Sequence, residues 1–208
     1  KVIRGTDKTS DAMLSGGLSG KALLLGNSRD KKAVQTVEYV PSAPLSAKEG
    51  SVSFWVRPND WDGKDHSNFH HFFGAMNGAE RLVIYKYCDN SRLSFLLGRL
   101  AKDGVVTTIG ADISKWEKNS WHHVCAVWNA KFMELYVDGK KMAEVPRKAS
   151  PGSDFTKFQL GEYWHGNPGS SSLDELRIYG KKLSAEDVLK DYLLHAAKAV
   201  SGSAPVSL

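Results

Sequence analysis

Two stretches of this chain combine an aromatic ring with planar hydrogen-bonding groups, the pairing that recognises a sugar. The ring covers the C–H side of a pyranose while carboxylates, amides and imidazoles meet its hydroxyls. Trp61 with Asp62, Asp65, His66 and Asn68 is one such set, and Tyr163-Trp164-His165 with Asn167 is the other. Tyr85, Tyr87 and Arg92 join them if their strand lines a binding face, and Arg92 or Arg99 would answer an acidic ligand. Each tryptophan has a second possible use, packing down as the anchor of its own loop.

Other chemistries lack their residues. Retaining glycoside hydrolysis needs two carboxyls about 5 to 5.5 Å apart on one sugar. Asp174 and Glu175 are adjacent, so on an extended chain their side chains point to opposite faces. His70-His71 diverges for the same reason and makes a poor metal pair. No nucleophile elbow is present. Cys88 and Cys125 form neither a disulfide framework nor a zinc pattern; Cys125 reads as a small buried hydrophobe, and one bridge to Cys88 stays open if their strands are neighbours.

Composition excludes further classes. The formal charge is +5, but 28 Lys and Arg are interspersed with 23 Asp and Glu along all 208 residues. That pattern describes a solvated basic surface, and no nucleic-acid partner is expected. No apolar run approaches the roughly 18 residues of a membrane span, and residues 1–20 lack a signal-peptide core, so no membrane insertion is expected.

The elements that must position these residues are strands. Period-2 alternation and turn residues mark strands over 21–25, 33–40, 51–57, 82–87, 93–97, 105–109, 121–128, 132–137, 157–161 and 172–179. Asn129-Ala130-Lys131 and Asp138-Gly139 close two successive hairpins. Trp55 stands on the polar side of an otherwise alternating strand, which a purely solvated face would not need. Residues 59–71 read as one long loop that leads into Phe72-Phe73-Gly74. Ser184 and Asp187 form a capping box before a helical pattern over 188–198. About a dozen short strands at near-regular spacing predict an all-β sandwich. The expected organisation is a leading segment over 1–15, a single domain over 16–198, and a tail or linker over 199–208.

Several of these stretches, taken in order, carry a resemblance. Gly20-Lys21-Ala22-Leu23, Ser51-Val52-Ser53-Phe54-Trp55-Val56-Arg57-Pro58, Trp121-His122-His123-Val124, Leu135-Tyr136-Val137-Asp138-Gly139 and Leu173-Asp174-Glu175-Leu176-Arg177-Ile178-Tyr179 with Leu183-Ser184-Ala185-Glu186-Asp187 resemble the landmarks of laminin-G-like domains of the concanavalin A-like lectin/glucanase superfamily. The resemblance implies a jelly-roll β-sandwich of two antiparallel sheets, one concave and one convex, with one short C-terminal helix. It implies a monomeric, non-catalytic module that binds a polysaccharide or glycan, or an adhesion domain with a protein partner. The expected location is extracellular or on the cell surface, with a bacterial periplasm as the alternative. Because Trp121-His122-His123-Val124 matches the family signature, those histidines are expected to be structural.

The family often holds a structural calcium ion, and Asp174 matches its carboxylate ligand. Calcium takes six to eight oxygens, and Leu25-Gly26-Asn27 replaces a Phe-Asp-Gly common in relatives, which removes one carboxylate. Without the ion, Asp174 would be a strand-end carboxylate bonding loop amides. The Glu-x-Asp-x-x-Glu motif of laminarinase-like glucanases is absent, as are the Arg-x-Glu-Leu-Arg and Gln-x-His motifs of alginate-lyase relatives. A glycoside hydrolase or polysaccharide lyase of the same fold is therefore the remote alternative.

Overall fold

Alternation along β4 shows how the chain partitions its faces: Val52, Phe54 and Val56 turn into the main core, while Ser51, Ser53 and Trp55 turn away from it. The structure, a computed structural model, describes residues 14–26, 36–149, 151–161 and 170–201. In chain order its elements are β1 (Leu14–Gly16), β2 (Lys21–Leu25), β3 (Val37–Tyr39), β4 (Gly50–Pro58), β5 (His70–Asn77), β6 (Glu80–Lys86), β7 (Arg92–Arg99), β8 (Val106–Asp112), β9 (His122–Trp128), β10 (Phe132–Val137), β11 (Lys140–Pro146), β12 (Phe158–Leu160), β13 (Ser171–Tyr179), α1 (Ala185–Leu193) and α2 (Ala196–Ser201).

The strands form two antiparallel sheets. A seven-stranded sheet runs β1-β2-β13-β4-β9-β10-β11 and a six-stranded sheet runs β3-β12-β5-β6-β7-β8. Phe54, Val124, Trp128 and Leu135 from the first meet Phe72, Phe73, Ile84 and Phe95 from the second in one continuous core. This is the expected sandwich.

The two outer faces differ. On the seven-stranded sheet, α1 and α2 lie over Trp55, which stacks on Tyr192 at 5.5 Å and packs with Leu18, Ala22, Trp121 and Ala199. That cover explains a tryptophan on the polar side of β4. On the six-stranded sheet no described element packs over the outer face, and Arg81, Tyr85 and Leu96 are only partly buried there.

Three local features depart from the sequence reading. The long loop ends at Phe69, because His70–Asn77 is a full strand whose register shifts between His71 and Phe73 and so sends both Phe72 and Phe73 into the core. β11 is an additional edge strand whose Lys140, Lys141 and Glu144 keep it from pairing further. The C-terminal helical pattern breaks into two helices; Ser184 and Asp187 form the capping box ahead of the first. Asp138 and Gly139, both at positive φ (50° and 74°), make the tight turn between β10 and β11.

Candidate functional site

The loop between β4 and β5 turns its aromatic residue inward. Trp61 is 1 % exposed, stacks on His70 with centroids 4.0 Å apart, and donates from Nε1 to Ser171 Oγ at 3.0 Å. Trp61 is thus a loop anchor, and the expectation that it faces a ligand is corrected. A tryptophan at the mouth of a sandwich buries more apolar area against Phe72 and Trp116 than it would by facing water.

The polar residues around Trp61 stabilise the loop itself. Asp65 accepts from the Ser67 amide (2.9 Å), the Ser67 hydroxyl (2.5 Å) and the Asn68 amide group (2.9 Å). The His70 imidazole, 3.5 Å away, is the main reason its carboxyl is held well below the usual carboxylate range; the bonds from Asn68 and Ser67 add to it, and together they outweigh burial. Beneath the loop the fully buried Lys86 ammonium donates to the carbonyls of Asp65, Tyr87 (3.1 Å) and Asn90 (3.3 Å). His66 is exposed and meets Ser91 Oγ at 3.1 Å. Asp65 and Asn68 border a shallow polar pocket of about 320 Å³.

Aromatic surface is presented one strand further on. Phe69 stacks on Tyr85 at 4.9 Å and 12°, and Tyr87 meets both edge-on, at 6.0 Å from Phe69 and 6.3 Å from Tyr85. Register places His71 opposite Tyr85 and Tyr85 opposite Ser94, so these residues share the open face of the six-stranded sheet. Burial pushes the Tyr85 phenol up, so it stays a neutral donor. Arg92 is exposed on the same face and lies across Gly110; a Cβ there would fall 1.8 Å from Arg92 Nε. A shallow apolar depression of about 150 Å³ lies between Phe69, His71, Arg81, Val83 and Tyr85. Tyr85 and Arg92 are therefore brought together, with Phe69 and Tyr87 beside them, and Trp61 is set apart. Trp164, His165 and Asn167 lie outside the described residues.

Asp174 is bonded by amides. Oδ2 accepts from Leu18 N (2.8 Å) and Ser19 N (3.2 Å), and Oδ1 from Glu175 N (2.8 Å). A cation needs oxygens around it, and these oxygens already face N–H donors, so the described residues there do not fit calcium. Among the described residues no three His, Cys, Asp or Glu converge as a metal site. Cys88 and Cys125 are both free, so the open question of a bridge is answered against it; Cys125 lies fully buried in the middle of β9, and burial pushes its thiol well up.

A Ser-His-Asp cluster does occur, beneath α1. Ser53 Oγ bonds Asp191 Oδ2 directly, and His123 uses one nitrogen, Nε2, toward both Ser53 (3.1 Å) and Asp191 (3.3 Å). A triad needs the two imidazole nitrogens to relay between acid and nucleophile. Here the serine bonds the carboxylate itself, and all three residues are buried. The cluster anchors the helix, and Arg177 Nη1 adds a 3.1 Å contact to Asp191. His122 is held by Asp138 and stacked on Trp116, so both histidines of the signature are structural, as expected.

A family model described as the Concanavalin A-like lectin/glucanases superfamily, of the laminin G type, matches residues 31–189. Among solved structures the fold is similar to the receptor binding domain of botulinum neurotoxin D (15 % identity, TM-score 0.70, covering 92 % of this chain and 47 % of that one). It is also similar to the binding domain of Paraclostridial Mosquitocidal Protein 1 (17 %, TM-score 0.67, 92 % and 46 %) and to that of botulinum neurotoxin serotype G (14 %, TM-score 0.68, 86 % and 44 %). The chain spans less than half the length of these domains, and at such identities the likeness is one of fold. No curated protein matches it.

Proposed function

We propose that this chain, which belongs to the concanavalin A-like lectin/glucanases superfamily, is a non-catalytic carbohydrate-binding module of a larger extracellular or surface protein. Its ligand is a glycan laid across the open face of the six-stranded sheet. The observation that carries this reading is the partly exposed Phe69–Tyr85–Tyr87 cluster beside Arg92, on a face that no described element covers. Stacking on these rings with hydrogen bonds from Tyr85 and Arg92 suits a pyranose. The solved structures it resembles are binding domains, which agrees with a role in recognition.

Catalysis is not part of the proposal. On the open face of this sheet the strand carboxylates are Glu38 on β3 and Asp112 on β8, at opposite edges, while Glu80 on β6 falls on the inward side with Leu82 and Ile84 and pairs with Arg99. Five strand spacings, about 24 Å, separate those edges. Two carboxyls that cleave one glycosidic bond stand within roughly 10 Å.

A glycan array tests the reading. Binding is expected, lost in Tyr87→Ala with an unchanged melting temperature, since Tyr87 is 39 % exposed. An array blank for wild type would overturn it. A protein partner is the second reading, favoured by Leu193 and Leu194, which are 60 % and 65 % exposed on the helical side. Capture of a receptor protein, lost on Leu194→Lys, would support that side instead.

A further inference from the structure

The open face has a second depression, of about 430 Å³, at its other end between β3, β12, β5 and β6. Among the described residues, two polar atoms of its lining have no hydrogen-bond partner: Nε2 of Gln159 and Oγ1 of Thr36. Gln159 is 7 % exposed. A buried amide N–H without an acceptor destabilises the fold, so native proteins rarely keep one unless water, an ion or a ligand meets it there. The site has no architectural need of it. Phe158 and Leu160, on either side, supply the core contacts of β12, while Gln159 stands opposite Glu38 and Gly74 on the open face.

The rest of the lining has the same character. Arg81 borders this depression and the aromatic one, and its Nη1 is fixed on the carbonyls of Gly78 (2.6 Å) and Glu80 (2.8 Å). Glu38, the carboxylate of the lining, is paired with Lys157 at 2.9 Å. An amide, a hydroxyl and a guanidinium thus converge beside the Met76 thioether, in a pocket whose own negative charge is already matched.

We infer that this pocket is a subsite for a sugar bearing an oxyanion, a carboxylate or a sulfate ester, so that the ligand of the open face is an acidic polysaccharide. The inference rests on the glycan reading above. Arg81 joins the two depressions: the charged substituent meets Gln159, Thr36 and Arg81, and a neighbouring ring of the same chain lies against Phe69, Tyr85 and Tyr87. From β3 to β7 is four strand spacings, about 19 Å, so the ligand crosses the strands over several rings.

Calorimetric titration of the whole chain tests this with four probes: oligogalacturonate, its carboxyl-reduced form, a sulfated galactan oligosaccharide and its desulfated form. Wild type, Gln159→Leu and Tyr87→Ala are compared. One acidic probe is expected to bind at least about tenfold more tightly than its neutral counterpart, in line with charge-assisted hydrogen bonds. Preference for the uronate assigns a carboxylate, and preference for the galactan a sulfate. Gln159→Leu should lose a similar factor for the acidic probe while its melting temperature holds or rises, because the amide it removes has no partner to lose. A purely structural glutamine would not separate the two readouts. Equal binding of acidic and neutral forms, weakened by Tyr87→Ala, overturns the acidic subsite and leaves the glycan reading standing. No binding of any probe by a folded protein overturns both.

Discussion

The Lys86 ammonium lies 5.9 Å from the centre of the Trp61 ring, and both side chains are fully buried. The lysine ties the carbonyls of Asp65, Tyr87 and Asn90 together, so one cation holds the β4–β5 loop against the β6–β7 hairpin that carries Tyr87. Burial lowers its pKa, a cost that three carbonyl acceptors and the aromatic face offset. Lys86→Met keeps the stem and leaves three carbonyls short of a donor. It should cost about 3 kcal/mol in urea unfolding. Amide exchange should speed up first in residues 62–69 and 87–91, and uniform acceleration across both sheets would contradict this local role.

Gly17 passes so close to Asp174 that a Cβ on it would fall 2.5 Å from Oδ2 and 2.9 Å from the Ala22 amide nitrogen. Gly17→Ala must therefore displace the carboxylate from the Leu18 and Ser19 amides, at a cost of about 2 kcal/mol. Because those oxygens accept N–H groups, millimolar calcium should leave the thermal midpoint of wild type where a chelator leaves it. A calcium-dependent rise of several degrees would mean that Asp174 turns outward to the ion.

The strands were legible wherever apolar and polar residues alternate, as in 51–57 and 132–137, and so was the Ser184 helix cap. Facing was not. Trp61 and Tyr85 look alike in a sequence, yet one falls into the core and the other lies on the open sheet, because the difference is made by long-range partners: Ser171 and Trp116 for Trp61, Phe69 and Ser94 for Tyr85. The bulge after His71 also breaks the period that would have revealed β5. Gln159 gave no signal, since one glutamine between two apolar residues is what any half-exposed strand shows. An unpartnered amide at the edge of an open-face depression is what distinguishes it.

Arg92 owes its course to the absence of a side chain at Gly110. The colliding atoms are the far end of a flexible side chain, so Gly110→Ala should move Arg92 aside at little expense. Removing a glycine from a strand should keep the stability change within about 1 kcal/mol. If Arg92 contacts the ligand, Gly110→Ala should weaken glycan binding as much as Arg92→Ala does. Full binding by Gly110→Ala would place Arg92 outside the site.

Asp191 links the helix to the sheet through Ser53, His123, Arg177 and Tyr179. Burial pushes its carboxyl up, but the hydrogen bonds from His123 and Ser53 and the charges of His123 and Arg177 prevail, and its pKa lies below the ordinary value. For a carboxyl depressed on folding, the unfolded chain binds the proton more readily. The stabilisation is then complete above the unfolded value of about 3.9 and is lost as pH falls through the folded one. Asp191→Asn should cost about 3 kcal/mol at neutral pH. It should also flatten the fall in stability below about pH 4, where the depressed carboxyls of Asp65, Asp112, Glu134 and Asp187 supply what slope remains. Urea titrations at a series of pH values measure both. If the variant falls as steeply as wild type in acid, the helix is held by the Trp55–Tyr192 packing and the carboxylate is dispensable.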